Sequence, residues 1–175
     1  MSFYVFSSLM ASVTLSALGI FMFINGKSRF EIRIWSYICF GVVFWQIGSF
    51  GFATAGSKAM AFYWWQFAHI GAMSVPPIFF HFICIYLKIK RRGLIVSAYV
   101  FSIIFIVINF CCGRYFIGDL RLTPDNFYWL DWFRYRNPLF IFYYVTVYVI
   151  LLSYSYLILL RAFGHSNGIR RNQMQ

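Results

Sequence analysis

An all-α transmembrane bundle of five spans is the fold class this sequence predicts, and three observations carry it. Five apolar runs, Phe3–Ile24, Ile34–Ala55, Phe62–Leu87, Leu94–Cys112 and Pro138–Leu160, fill most of the 175 residues. Each is about 19 to 26 residues long, and about 20 helical residues cross a hydrocarbon core of about 30 Å. Hydrophobic residues make up 62% of the chain and charged residues 11%, against about 25% charged in soluble domains. Mean hydropathy is +0.72. The third observation is where the charges lie. Lys27, Arg29 and Arg33 follow the first run, Lys88, Lys90, Arg91 and Arg92 the third, and Arg161, Arg170 and Arg171 the fifth. The second connection has only Lys58, and the fourth offsets Arg114, Arg121, Arg134 and Arg136 with Asp119, Asp125 and Asp131. Cytoplasmic loops concentrate Lys and Arg, so the N-terminus is expected outside and the C-terminus in the cytoplasm. The net charge of +11 is then an orientation signal, and nucleic acid is excluded as a partner.

The first span starts at Phe3 with no basic residues before it, so it reads as an inserted helix and not as a cleaved signal peptide. Ser8, Ser12, Ser16 and Gly19 are spaced to share one of its faces. The second span repeats the device with Gly41, Gly48, Gly51 and Ala55. Small residues let helix backbones approach closely in lipid, so Ser12, Ser16, Gly19, Gly41, Gly48 and Gly51 are expected at helix contacts.

The third span is the most distinctive. Pro76 and Pro77 lie inside it. Proline removes a backbone donor and crowds the preceding turn, which predicts a kink near Ala72–Met73. The carbonyls so freed need partners in lipid. Two readings stay open: a packing feature, or the wall of a polar cavity. The fourth span ends in Cys111 and Cys112. With Cys39 and Cys84 these are the four cysteines, and none forms a C-x-x-C pair or a zinc spacing. The long fourth connection, 113–137, carries Phe127-Tyr-Trp-Leu-Asp-Trp-Phe-Arg-Tyr-Arg136 and reads as a segment on the outer leaflet or a lid over a pocket. After the fifth span, residues 161–175 read as a basic cytoplasmic tail, and the whole chain 1–175 as one domain.

Intramembrane ionisable groups are where function is sought first. No Asp or Glu lies within a span, which argues against carboxylate proton relays and charged cation sites. His69 and His81 both lie in the third span, about 120° apart on a straight helix, so they do not share a metal. Gln46, Gln66 and Asn109 suit interhelical hydrogen bonds. Asp119, Asp125 and Asp131 are too sparse for a calcium loop. No nucleophile–base pair, phosphate loop or metal triad appears, so neither an enzyme nor a cofactor or metal is expected.

Trp45-Gln-Ile-Gly48, then Trp65, Gly71 five residues before Pro76-Pro77, and Phe80-His-Phe82 form a recognisable series. It resembles the histidine kinase N-terminal seven-transmembrane region. There a Trp and a Gly close the second helix, and an aromatic, a Gly and a Pro-Pro pair mark the third. The stretch Arg170-Arg171-Asn-Gln173 is similar to the one before that family's sixth helix. The resemblance spans about Leu15 to Gln175. It implies a sensory input region of a prokaryotic cell membrane, in a family often fused to cytoplasmic output domains. The chain has five spans where the family has seven, so it is expected to be the front of a longer or split gene, or a shortened relative, without its own catalytic output. Stimulus contact is assigned to Gln66, His69 and His81, and the hinge to Pro76 and Pro77. The partners are the lipid bilayer, with a second copy of the chain and a cytoplasmic signalling domain or protein left open. A transporter or channel component and a scaffold that senses nothing are the alternatives.

Overall fold

The computed structural model describes residues 3–26, 29–118, 120–122, 128–130 and 137–172. Its elements are α1 (Phe3–Asn25), α2 (Phe30–Ala53), α3 (Lys58–Tyr86), α4 (Arg92–Cys111), the short α5 (Gly113–Ile117), strands β1 (Leu120–Leu122) and β2 (Tyr128–Leu130), α6 (Pro138–Tyr144), a π-helical segment (Val145–Leu151) and α7 (Leu152–Asn172). Five helices are long and apolar enough to cross a membrane: α1, α2, α3, α4 and the stretch Pro138–Gly164 made by α6, the π segment and α7.

Helix α3 is the hub. It packs on α2, on α4 and on the fifth span, while α1 packs on α2. Its start and its end are both fixed by local chemistry. The Ser57 hydroxyl accepts from Met60 N–H at 3.3 Å, an N-cap. At the other end Ile89 N–H donates to Cys84 O at 2.8 Å and Lys88 N–H to Ile85 O at 2.9 Å, a Schellman closure. Lys88 takes the left-handed position of that motif, φ 56°, where glycine is usual. The fifth span starts on Asn137, whose Oδ1 accepts from Leu139 N–H at 2.9 Å, with Pro138 at the first helical position. Ser12, Ser36, Ser74 and Ser155 donate to carbonyls three or four residues earlier, so their hydroxyls need no partner from another helix.

The α2–α3 contact depends on missing side chains. A Cβ at Gly71 would overlap Gly41 O and Trp45 N, and one at Gly48 would lie 2.6 Å from Ala68. Gly41 and Gly51 line the same contact, against Val75 and Trp64. On α1, Ser12 and Gly19 are buried and Ser16 is half-buried, with Gly19 against Cys39 and Phe40. Across α3 the core is of another kind: Phe105, Phe116, Phe140 and Tyr143 form a cluster of rings with centroids 4.9 to 6.5 Å apart.

The structure adds local detail to the sequence-based reading in three places. The fold class is all-α as expected, with one local addition: β1 and β2 pair antiparallel, Leu120 opposite Leu130. Strand pairing satisfies backbone groups that a plain loop beside lipid would leave open, and buried Leu120 holds β1 to the core. The 113–137 connection thus begins with a helical turn and a hairpin. Residues 123–127 and 131–136, with much of its aromatic stretch, lie outside the described residues. Third, the last helix continues past Leu160 to Asn172, since nothing in 161–172 is a proline and backbone bonding propagates along an existing helix.

Candidate stimulus site and hinge

An α-helix bonds each N–H to the carbonyl four residues earlier. Pro76 and Pro77 have no N–H, so the carbonyls of Ala72 and Met73 lose their helical partners. Both are buried, and both are met from the fifth span. Tyr148 donates its hydroxyl to Ala72 O, and Tyr143 donates to Met73 O at 3.3 Å. The freed carbonyls are therefore satisfied by neighbouring side chains, which is the packing reading of the proline pair.

The π segment explains how one span supplies both tyrosines. Five residues apart, Tyr143 and Tyr148 would stand about 140° apart on a regular α-helix. In a π turn the i→i+5 hydrogen bonds stack residues five apart, which swings Tyr148 toward the side of Tyr143. Tyr144 lies between them and stacks on Tyr148 at 4.8 Å. Ser102 of α4 is buried beside Tyr143, so α4 also reaches this junction.

Helix α4 grips α3 near both ends. Gln66 Nε2 donates to Asn109 O, and Asn109 Nδ2 returns a bond to Gln66 O at 3.0 Å. Both residues are buried. Near the other end His81 Nδ1 lies 3.1 Å from Tyr99 OH. Gln66 and His81 are about 22 Å apart along the helix axis, so they belong to two separate contacts.

His69 faces the fifth span. Its Nδ1 lies 2.8 Å from Trp65 O, which fixes the proton there, and its ring meets Trp65 and Phe140 edge-on at 5.2 and 6.0 Å. Nε2 is then a bare lone pair. It is buried without a hydrogen-bond partner among the described residues, as is the Trp65 indole N–H. A buried acceptor and a buried donor one turn apart are thus left open here among the described residues.

The three sequence-assigned contact residues thus do not share one pocket. Gln66 forms part of a cleft at the start of α3, His69 is enclosed beside Phe140, and His81 is at the opposite end beside Tyr99 and Phe30. Tyr143, Tyr148 and Tyr99 were not singled out from the sequence. The usable signal was a phenol in an apolar span, which requires an acceptor, together with two proline-freed carbonyls that require donors. No group of three or more His, Cys, Asp or Glu fit to hold a metal occurs among the described residues.

No curated protein and no solved structure matches the chain. A family model described as the N-terminal 7TM region of histidine kinase matches residues 8–175, and the chain belongs to that family.

Proposed function

We propose that this chain is a membrane signal-input region of a histidine kinase, in a prokaryotic cell membrane with its N-terminus outside and its C-terminus in the cytoplasm. A stimulus reaching the His69–Trp65 face changes how α3 sits against the fifth span, and the change leaves along α7. The carrying observation is the pair of tyrosine hydroxyls on the carbonyls freed by Pro76 and Pro77. Those bonds span two helices and have no backbone competitor at the same carbonyls, so they can exchange while each helix stays intact. A stimulus shifts such an equilibrium only by binding one arrangement better than the other. His69 supplies that difference as an acceptor for a donor group. Gln66 and His81 couple the movement to α4.

The test is autophosphorylation in membranes carrying the full-length gene product. His69→Ala is expected to abolish the response to stimulus, and Tyr148→Phe to fix the output at one level. Unchanged stimulus-dependent output in both variants removes the assignment. The orientation is checked on whole cells with a membrane-impermeant maleimide. Cys111 and Cys112 are exposed at the end of α4 and are expected to react from outside, whereas buried Cys39 and Cys84 are not. Reaction only after cell lysis reverses the topology.

A further inference from the structure

The fifth span departs from a regular helix at Val145–Leu151, and α3 departs from one at Pro76 and Pro77. An α turn closes on the fourth residue and a π turn on the fifth, so the π segment holds one residue more than an α-helix along the same path. Its partners on α3 hold it there. Tyr143 reaches Met73 O and Tyr148 reaches Ala72 O, and a regular helix would turn one of the two away. Those carbonyls accept from outside because the prolines supply no N–H. The irregularity of one helix thus maintains that of the other. Nothing polar opposes its release in lipid. Backbone groups pair inside the segment in either form, to the fifth residue or to the fourth, so none is stranded in hydrocarbon. Its outward side chains Val145, Val149 and Ile150 are apolar. Buried Ser155 lies between Tyr154 and Tyr156, whose rings meet Phe80 and Phe79 of α3. Its hydroxyl bonds Leu151 O of its own span, so it can leave this place without breaking a bond to another helix.

We infer that the π segment is a register switch. When Tyr148 leaves Ala72 O, the spare residue joins the helix, and α7 turns about 100° and advances about 1.5 Å relative to α6. Each place on α7 then passes to the preceding residue. Tyr156 leaves Phe79, Tyr154 moves from Phe80 into the buried place of Ser155, and exposed Ser153 comes round to Phe80. A tyrosine where a serine sat wedges α7 away from α3. Helix α7 contains no proline and runs on to Asn172, so the turn is carried to its end. The switch deepens the proposed sensing function by giving movement of α3 a definite output, and it rests on that reading only for the stimulus that starts the movement. Its test reads helix register without any kinase output, so the switch can fail while the sensory reading stands.

The photo-crosslinker p-benzoylphenylalanine is placed at Tyr156 in one protein and at Ser153 in another. Each full chain is illuminated in phosphatidylcholine nanodiscs, and its cross-links to α3 are counted by peptide mass spectrometry. Position 156 meets α3 in the π form, and position 153 meets it only in the α form. The yield on α3 from position 153 is expected at about a tenth or less of that from position 156, the usual population of a minor state. Tyr148→Phe shifts the ratio about threefold toward position 153, the effect of one average hydrogen bond between membrane helices. Tyr143→Phe shifts it the same way and serves should Tyr148→Phe not fold. Deleting Val145 removes the spare residue and leaves Tyr143 and Tyr148 four apart, on one side of an ordinary α-helix. In that background Tyr148→Phe leaves the ratio unchanged. An unchanged ratio in both phenylalanine variants overturns the inference. So does an equal shift with Val145 deleted, which would show general loosening in place of a change of register.

Discussion

The two sides of α3 are held by different polar means among the described residues: none but close backbone contact toward α2, and interhelical hydrogen bonds toward α4 and the fifth span. Toward α2 backbone meets backbone at Gly41, Gly48 and Gly71, and the ring pairs Trp35–Phe82, Phe44–Phe67 and Phe52–Trp65 pack alongside. Toward α4 and the fifth span the contact is made of amides, phenols and rings: Gln66 with Asn109, His81 with Tyr99, and Tyr143 and Tyr148 with the two freed carbonyls. In lipid neither side gains from expelling water, so each relies on dispersion or on hydrogen bonding. Close backbone packing at the glycines offers a single arrangement, because at those points there is no side chain to rotate. Hydroxyl and amide contacts can break and re-form one at a time. A signal carried by helix movement therefore has its fixed frame at α2–α3 and its moving joint on the other side.

The largest effect is expected from disturbing the fixed side. A methyl group at Gly71 meets Gly41 O and Trp45 N, backbone atoms that cannot turn away. Gly71→Ala is expected to cost about 1–3 kcal/mol, the usual range for overpacking. Gly48→Ala should follow it, since its Cβ would lie 2.6 Å from Ala68 Cα, Cβ and N. Unfolding in mixed micelles with rising SDS measures both. Unchanged midpoints would mean that α2 and α3 part easily, and the comparison would lose its rigid half.

The amide clamp comes next. Gln66→Leu and Asn109→Leu each remove one interhelical bond, for about 1 kcal/mol each, within the range measured for such bonds in membrane proteins. The two bonds share one contact, so losing either loosens the other. The double variant is expected to cost less than the sum of the two singles in the same unfolding experiment. Strict additivity would show two independent bonds and no joint.

Much of the frame was legible in the sequence because hydropathy and small-residue spacing are local signals. Five runs foretold five membrane-capable helices, and Gly41 and Gly48 already stood on a common stripe. The prolines announced that Ala72 and Met73 would need donors, but not which ones. Tyr143 and Tyr148 lie 70 and 76 residues away from their acceptors, and no period in the sequence points from one to the other. The π segment hid them further, because a regular helix would have put them on different sides. Gln66, His69 and His81 looked like one group only because they share a helix. Length separates His81 from Gln66, and direction separates His69, which turns to Phe140 while Gln66 turns to Asn109. The hairpin escaped for another reason: its strands have three residues each, too few for an alternation to stand out.

The smallest effect is the most specific. Tyr143→Phe and Tyr148→Phe each remove one hydroxyl from a carbonyl, for about 0.6 kcal/mol by the average for membrane hydrogen bonds. The argument becomes sharp in the proline backgrounds. Pro77→Ala returns an N–H that can bond Met73 O, so Tyr143→Phe should then cost almost nothing. Pro76→Ala should do the same for Tyr148→Phe, through Ala72 O. The crossed pairs, Pro76→Ala with Tyr143→Phe and Pro77→Ala with Tyr148→Phe, should keep the full cost, because each leaves the relevant carbonyl without a backbone donor. Two matched rescues and two crossed failures in one set of unfolding midpoints would assign each phenol to its proline. Equal costs in every background would mean that the hydroxyls act through partners other than the carbonyls the prolines free, since phenylalanine keeps the rings that pack Tyr143 on Phe101 and Phe105 and Tyr148 on Tyr144.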